Sequence, residues 1–183
     1  MILLLSGPAA VGKTTVCQHL IDCYGFRLIK SSDYLKEIAD QKSLAISRQN
    51  LQEVGDDLDV KTDYSWIVDE VAVPWLNRHT EHSRWIIDSV RKNRQIEHFR
   101  AKFSDNVKHI HVTAKEHIIR QRFELRREED KFRQYERTYD EHVLHPNEVS
   151  SRNLHATADY VIDYSEIDVA EASSNISRFL GLS

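Results

Sequence analysis

The sequence predicts an α/β chain: a five-stranded, mainly parallel sheet with helices on both faces. Short, continuously apolar runs recur along it, the signature of strands covered on both sides. Longer amphipathic stretches separate these runs, as helical crossovers between parallel strands do. A Gly-containing turn and two aspartates, Asp33 and Asp88, fall at the carboxyl ends of their runs, where sheets of this class bind ligands.

The elements follow in order. "ILLLS" at 2–6 reads as a buried first strand. A helix is expected from Lys13 to about Tyr24, with Val16, Leu20 and Ile21 on its inner face and Gly25 ending it. "FRLIK" at 26–30 is the second strand, and helical stretches run from about Ser32 to Gln41, Arg48 to Leu58 and Tyr64 to Arg78. "RWIID" at 84–88 and "VKHIHVT" at 107–113 are the third and fourth strands. A long charged helix spans about Lys115 to Tyr135, and a shorter one runs from near Pro146 to Leu154. "DYVID" at 159–163 is the fifth strand, and a final amphipathic helix carries Ile167, Val169, Ile176, Phe179 and Leu180.

At 183 residues the chain is expected to form one domain with a substantial core. A net charge of −4 gives no broad basic surface, so membrane and nucleic-acid partners are not expected and any basic patch must be local. "MILLL" is too short for a signal-peptide core or a membrane span, and a cytoplasmic protein is expected. Cys17 and Cys23 fall six apart on one helix and read as reduced thiols. The ten histidines show no HExxH or Cys-paired spacing, so no structural zinc is expected. Trp66, Trp75 and Trp85 fit a core or an interface equally, and oligomeric state is not readable.

The chemistry starts at "SGPAAVGKTT", residues 6–15. Gly7, Gly12, Lys13 and Thr14 fit G-x-x-x-x-G-K-[ST] without gaps, between a strand and a helix. Glycines let consecutive N–H groups of Gly7, Pro8, Ala9, Ala10, Val11, Gly12, Lys13, Thr14 and Thr15 curve round a phosphate, Pro8 contributing shape but no N–H. Lys13 can reach the outer phosphates, and the Thr14 hydroxyl can bind Mg²⁺. ATP with Mg²⁺ is the expected donor.

GTP-binding switches need a base-reading N-K-x-D, which this chain lacks. Motor and transporter ATPases end a strand in adjacent acids, whereas "WIID" continues as "SVRK". Asp88 alone could hold Mg²⁺ through water, and Arg91 three residues on points to a second anion. The bland alternative is a surface turn with an Asp–Arg pair.

With these residues in place, the chain resembles the P-loop nucleotide kinases, which include adenylate kinase, thymidylate kinase, dephospho-coenzyme A kinase and phage-type deoxynucleoside monophosphate kinases. "SSDYLKEIA" at 31–39, "SRQNLQEVGDDL" at 47–58, "IIDSVRKNRQIEHFR" at 86–100, "RQRFELRREEDKF" at 120–132 and "HPNEVSSRNLHATADYVID" at 145–163 are similar to that family's acceptor, lid and last-strand segments. The resemblance implies a three-layer P-loop NTPase fold, an acceptor-binding helical segment at about 32–80 and a helical lid at about 115–137. Lys36 stands where adenylate kinases carry an Arg, "SVRK" replaces their Gly-rich segment, and Asp163 stands near an Asn of the phage-type enzymes.

Phosphoryl transfer needs positioning and charge neutralisation more than covalent help. Lys13 and the lid arginines Arg120, Arg122, Arg126 and Arg127 can supply it, with Arg122 and Arg126 on one helical face. The alternative for each arginine is an i,i+4 pair, such as Arg120–Glu124, Arg126–Asp130 or Glu129–Arg133. A phosphate acceptor, already anionic, needs cations: Arg91, Lys36 and Arg48. A hydroxyl acceptor needs a base, and Asp33 is placed for it unless it serves as a helix N-cap. Arg91 has no equally comfortable bland role, which favours a small phosphorylated acceptor, a nucleoside monophosphate. A hydroxyl acceptor (nucleoside, coenzyme precursor or sugar) and a non-catalytic ATP-binding module remain the alternatives.

Overall fold

In a computed structural model describing residues 1–88, 90–129 and 137–182, five strands form one parallel sheet. They are β1 (Ile2–Ser6), β2 (Arg27–Ile29), β3 (Trp85–Ile87), β4 (Val107–Thr113) and β5 (Tyr160–Asp163), in spatial order β2-β3-β1-β4-β5. β1 lies at the centre, with Leu3 opposite Ile86 on one side and Lys108 on the other.

Alternation along β1 divides the core in two. Leu3 and Leu5 face one layer, built with α1 (Lys13–Tyr24), α6 (Glu116–Glu129), α7 (Tyr139–Val143) and α9 (Val169–Phe179), through Val16, Leu20, Phe123, Tyr139 and Ile176. Ile2 and Leu4 face the other, through Trp66, Trp85, Ile96 and Phe99. That layer holds a π-helical turn (Ile67–Ala72), α4 (Val73–Arg78) and α5 (Asn93–Phe103). α2 (Ser31–Gln41) and α3 (Arg48–Lys61) add the partly buried Tyr34, Leu35 and Leu58. Helices on both faces of the sheet make three layers. Leu3, Leu4 and Leu5 are wholly inaccessible, and truncating any one to Ala is worth about 2–5 kcal/mol.

Three local features depart from what the residues alone implied, and a fourth is described only in part. The single helix expected over 64–78 is a π turn running into α4, with Pro74 at its first turn. Pro74 has no N–H for the carbonyl four residues back, so the ladder must shift there. α5 was expected only through the family resemblance. α7 was not expected, although Thr138 and Glu141 form a capping box, a signal present in the sequence. The charged helix expected to Tyr135 is described to Glu129, and residues 130–135 lie outside the described residues.

Gly25 ends α1 with φ +69°, as its position implied. α8 (Pro146–Asn153) precedes a 3₁₀ turn, Leu154–Thr157. Cys17 is buried, Cys23 exposed, and both are free thiols. Trp66 and Trp85 are core residues, while Trp75 is partly exposed. No helix among the described residues is long and apolar enough to cross a membrane.

Candidate active site

The turn after β1 has the curvature a phosphate cradle needs. Gly7 and Gly12 have φ +139° and +112°. A Cβ on Gly7 would lie 2.2 Å from the Val112 carbonyl oxygen, and one on Gly12 2.6 Å from the Tyr164 ring, so neither position admits a side chain. No side chain caps the first turn of α1, and no acid lies in it. Its N–H groups and dipole are therefore available to an anion. Thr14 and Thr15 are exposed at that end.

Lys13 donates to the Gly7 and Pro8 carbonyls at 2.7 and 2.8 Å, which places its ammonium across the loop. Burial lowers its pKa to about 8, with Glu148 and Asp88 opposing that fall and Arg91 and Arg126 adding to it. These four charges come from three segments, α8, the turn after β3 and α6, and all act on one lysine.

α8 clasps the loop from outside. Glu148 accepts the Ala9 N–H, and the Ser151 hydroxyl donates to the Gly7 carbonyl at 3.0 Å. Glu148 is 7% exposed. Arg152 donates to it at 3.0 Å and reaches Glu116 and the Tyr139 hydroxyl, tying α6, α7 and α8 together. Neither Glu148 nor Ser151 belongs to a motif, and only their burial in the fold marks them.

α6 presents different faces to different partners. Arg122 donates to the Val11 carbonyl at 2.8 Å and the Tyr164 carbonyl at 3.3 Å, and its guanidinium lies 4.9 Å from the Tyr164 ring centre. Arg122 touches the loop directly, and the charge of Arg126 reaches Lys13. Arg120 instead pairs with Asp140 and covers the Tyr139 ring, and Arg127 pairs with Glu124. The Arg120–Glu124 pair expected from spacing is replaced by these two. Of the other expected pairs, Asp130 and Arg133 lie outside the described residues.

Asp88 follows β3 and is half-buried. Burial raises its pKa, while Lys13, Arg91 and Lys30 pull it down. Gln95 fixes the following turn: its Oε1 accepts the Arg91 and Lys92 N–H groups at 3.0 and 3.2 Å. Its amide donates to Asp59 Oδ1, which also accepts from Trp66 Nε1 at 2.8 Å. The exposed Arg91 side chain therefore stands on a buried polar chain reaching α3.

Asp33 is not the helix cap. Lys30 is the N-cap of α2, and Asp33 is its third residue, exposed and paired with Lys36 at 2.8 Å. The Ser-Ser-Asp sequence enters the helix three residues earlier than its capping chemistry implied, and the Asp gains a lysine one turn on. The side chain of Arg48 lies outside what is described.

Behind the loop, Ser6 Oγ lies 2.7 Å from His109 Nε2 and 3.0 Å from His111 Nδ1, all buried. Burial lowers both imidazoles to about 4. His109 Nδ1 faces the Thr157 carbonyl at 3.5 Å. One assignment satisfies the chain: His109 Nδ1–H toward Thr157, the Ser6 hydroxyl donating to His109, and His111 Nδ1–H donating to Ser6.

The donor set fits a nucleotide-borne Mg²⁺. Among the described residues no group of three or more His, Cys, Asp or Glu could hold a metal alone. Mg²⁺ is ordinarily held by one or two carboxylates or hydroxyls together with substrate phosphates. Thr14 and Asp88 are the oxygen donors at hand.

A family model described as an AAA domain matches residues 3–144. No curated protein matches the sequence. Among solved structures, the chain is similar over 99% of its length to 96% of shikimate kinase from Aquifex aeolicus, at 18% identity and TM-score 0.52. It is similar over 99% to 98% of an uncharacterized protein from Eubacterium ventriosum, at 14% identity and TM-score 0.55. It is similar over its whole length to 95% of a sugar kinase from a Janibacter species, at 14% identity and TM-score 0.50.

Proposed function

The chain belongs to the AAA domain family, within the P-loop kinases, and from that premise we propose that it transfers the terminal phosphoryl group of ATP to a small phosphorylated acceptor, a nucleoside monophosphate. The observation that carries this reading is that Lys13 follows β1 while Asp88 and Arg91 follow its neighbour β3, so that their charges act on one another at the carboxyl ends of two paired strands. Two cations there suit two anions, a donor phosphate and an acceptor phosphate. A phosphate nucleophile is ionised at neutral pH and needs no base, so positioning and charge neutralisation suffice.

Residues Gly7 to Thr15 hold the donor phosphates, with Lys13 across the loop. Arg122 and Arg126 approach from α6. Thr14 and Asp88 hold Mg²⁺, which when bound neutralises phosphate charge. Arg91 holds the acceptor phosphate, and the segment of about 32–80 binds the rest of the acceptor. Glu148 and Ser151 act as positioning residues by holding the loop's outer edge.

The second reading is a hydroxyl acceptor with Asp33 as general base. The chain's likeness to a sugar kinase of known structure favours it. The exposure of Asp33 and its pairing with Lys36 weigh against it.

An ADP-release assay over ribo- and deoxyribonucleoside monophosphates tests the proposal. Arg91→Ala should raise the acceptor KM about tenfold or more, the loss of a charge-assisted contact, with the ATP KM little changed. Absence of acceptor-dependent turnover with every nucleotide would sink the reading. Asp33→Asn should leave turnover nearly intact; a fall of orders of magnitude would instead establish the hydroxyl acceptor.

A further inference from the structure

A cavity of about 280 Å³ opens beside the site, lined by Asp56, Asp59, Tyr64, Lys92, His145 and Asn147 among others. Two of its walls continue residues that act on the phosphate loop. Lys92 follows Arg91, whose charge acts on Lys13, and Asn147 precedes Glu148, which holds the Ala9 N–H. Gln95 joins the two: it holds the Arg91 and Lys92 N–H groups and donates to Asp59 in the cavity wall, which puts the cavity next to the Arg91 turn. Its volume is at the small end of ligand pockets, the size of a nucleoside rather than a long chain.

Its charged lining is two carboxylates, Asp56 and Asp59, and one lysine, Lys92. Asp59 is only 6% exposed. Its Oδ1 accepts from Trp66 and Gln95, and Lys92 lies close enough for its charge to act on the carboxylate. Asp56 holds the Asn147 amide at 3.1 Å. His145 bonds the Gln52 amide at 2.8 Å, and burial lowers its pKa, so it adds no charge at neutral pH. Two carboxylates thus face one lysine. A largely buried carboxylate favours a hydrogen-bond donor and repels an anion.

We propose that this cavity takes the unphosphorylated part of the acceptor, and that this part is a neutral group rich in hydrogen-bond donors, sugar hydroxyls or a ring amino group, bound by Asp59 and Asp56. A second anionic group is excluded. The inference rests on the nucleoside-monophosphate reading above.

The test uses the full chain, Asp56→Asn and Asp59→Asn. Asp56 is exposed, and Asp59→Asn keeps a side-chain oxygen for Trp66 and Gln95, so thermal unfolding should show both variants folded. Binding of adenosine and cytidine, which carry no phosphate, is read by ligand-observed NMR. Turnover is read with CMP, UMP and orotidine 5′-monophosphate, whose base bears a carboxylate. Both nucleosides should bind wild type and weaken about tenfold or more in the variants. CMP should be turned over and orotidine monophosphate refused. If nucleotides are turned over with the same acceptor KM in all three proteins and orotidine monophosphate serves as well as UMP, the cavity assignment falls and the kinase reading stands. If nucleosides bind in the carboxylate-dependent way while no nucleotide is turned over, the kinase reading falls and the cavity assignment stands. Absence of nucleoside binding to wild type overturns the assignment.

Discussion

Glu148 accepts the Ala9 N–H with both carboxylate oxygens, at 3.1 and 3.3 Å, so a helix near the end of the chain holds the loop near its beginning. Burial would push this carboxyl up, but His142, the Ala9 N–H and Arg152 together bring it down to about 2. Glu148→Ala should cost about 1–3 kcal/mol in urea unfolding, because it leaves the Ala9 N–H without its acceptor, while Arg152 keeps Glu116 and Tyr139. Glu148→Gln keeps an acceptor and should cost less. The wild-type contribution is fully present above the unfolded carboxyl pKa of 4.5 and is lost as pH falls from there through about 2. The Gln variant should lack that acid-side slope.

Gly12 and Tyr164 form a steric pair whose two parts separate experimentally. A Cβ at Gly12 meets the Tyr164 ring at 2.6 Å and adopts φ +112°. Gly12→Ala should therefore suffer both a clash and a backbone strain of about 1–3 kcal/mol. Tyr164→Ala should relieve the clash but not the strain. A double-mutant cycle on unfolding free energy should show coupling of about 0.5–3 kcal/mol. Strict additivity would show that the ring does not limit the loop.

The buried Ser6–His109–His111 chain makes stability depend on acid. Both imidazoles titrate near 4 when folded and near 6.5 as free groups, so between these pH values only the unfolded chain takes up the protons. The histidine contribution should be lost as pH drops from about 6.5 to about 4 and change no further below that. The loss is on the order of 2–3 kcal/mol per histidine. His109→Asn with His111→Asn should flatten this part of the curve. Ser6→Ala leaves two buried ring nitrogens unpaired and should cost about 1–3 kcal/mol at neutral pH.

Strand positions and the donor loop were legible because their signals are local. Apolar runs marked all five strands to within a residue or two, and Gly7, Gly12, Lys13 and Thr14 carry a fixed spacing. The loop's supports were not legible. Glu148, Ser151 and Tyr164 are ordinary polar residues more than a hundred positions away, and only the packing of α8 and the turn after β5 brings them to Ala9, Gly7 and Gly12. Asp33 shows the opposite failure: its local capping signal was sound chemistry, but the helix begins at Ser31 and Lys36 takes the carboxylate. Gln95 and Asp59 were hidden because a buried polar chain has no periodic signature.

Lys13 sets the last expectation, on the alkaline side. Its ammonium is desolvated against the Gly7 and Pro8 carbonyls, which lowers its pKa to about 8. A lowered lysine pKa means the charge is present below about 8 and lost as pH rises through it. Phosphate bound beside the ammonium restores the charge, so the effect belongs to the free enzyme and should appear in kcat/KM for ATP rather than in kcat. That profile should fall with an apparent pKa near 8, while kcat stays flat to higher pH. Lys13→Arg, which remains charged throughout, should remove the descending limb even if it lowers the plateau. Lys13→Ala should abolish turnover with little loss of helix by circular dichroism, because α1 keeps Val16 and Leu20 in the core. A wild-type kcat/KM that stays level to about pH 10, the range of an unperturbed lysine, would show that the ammonium is better stabilised than its contacts imply.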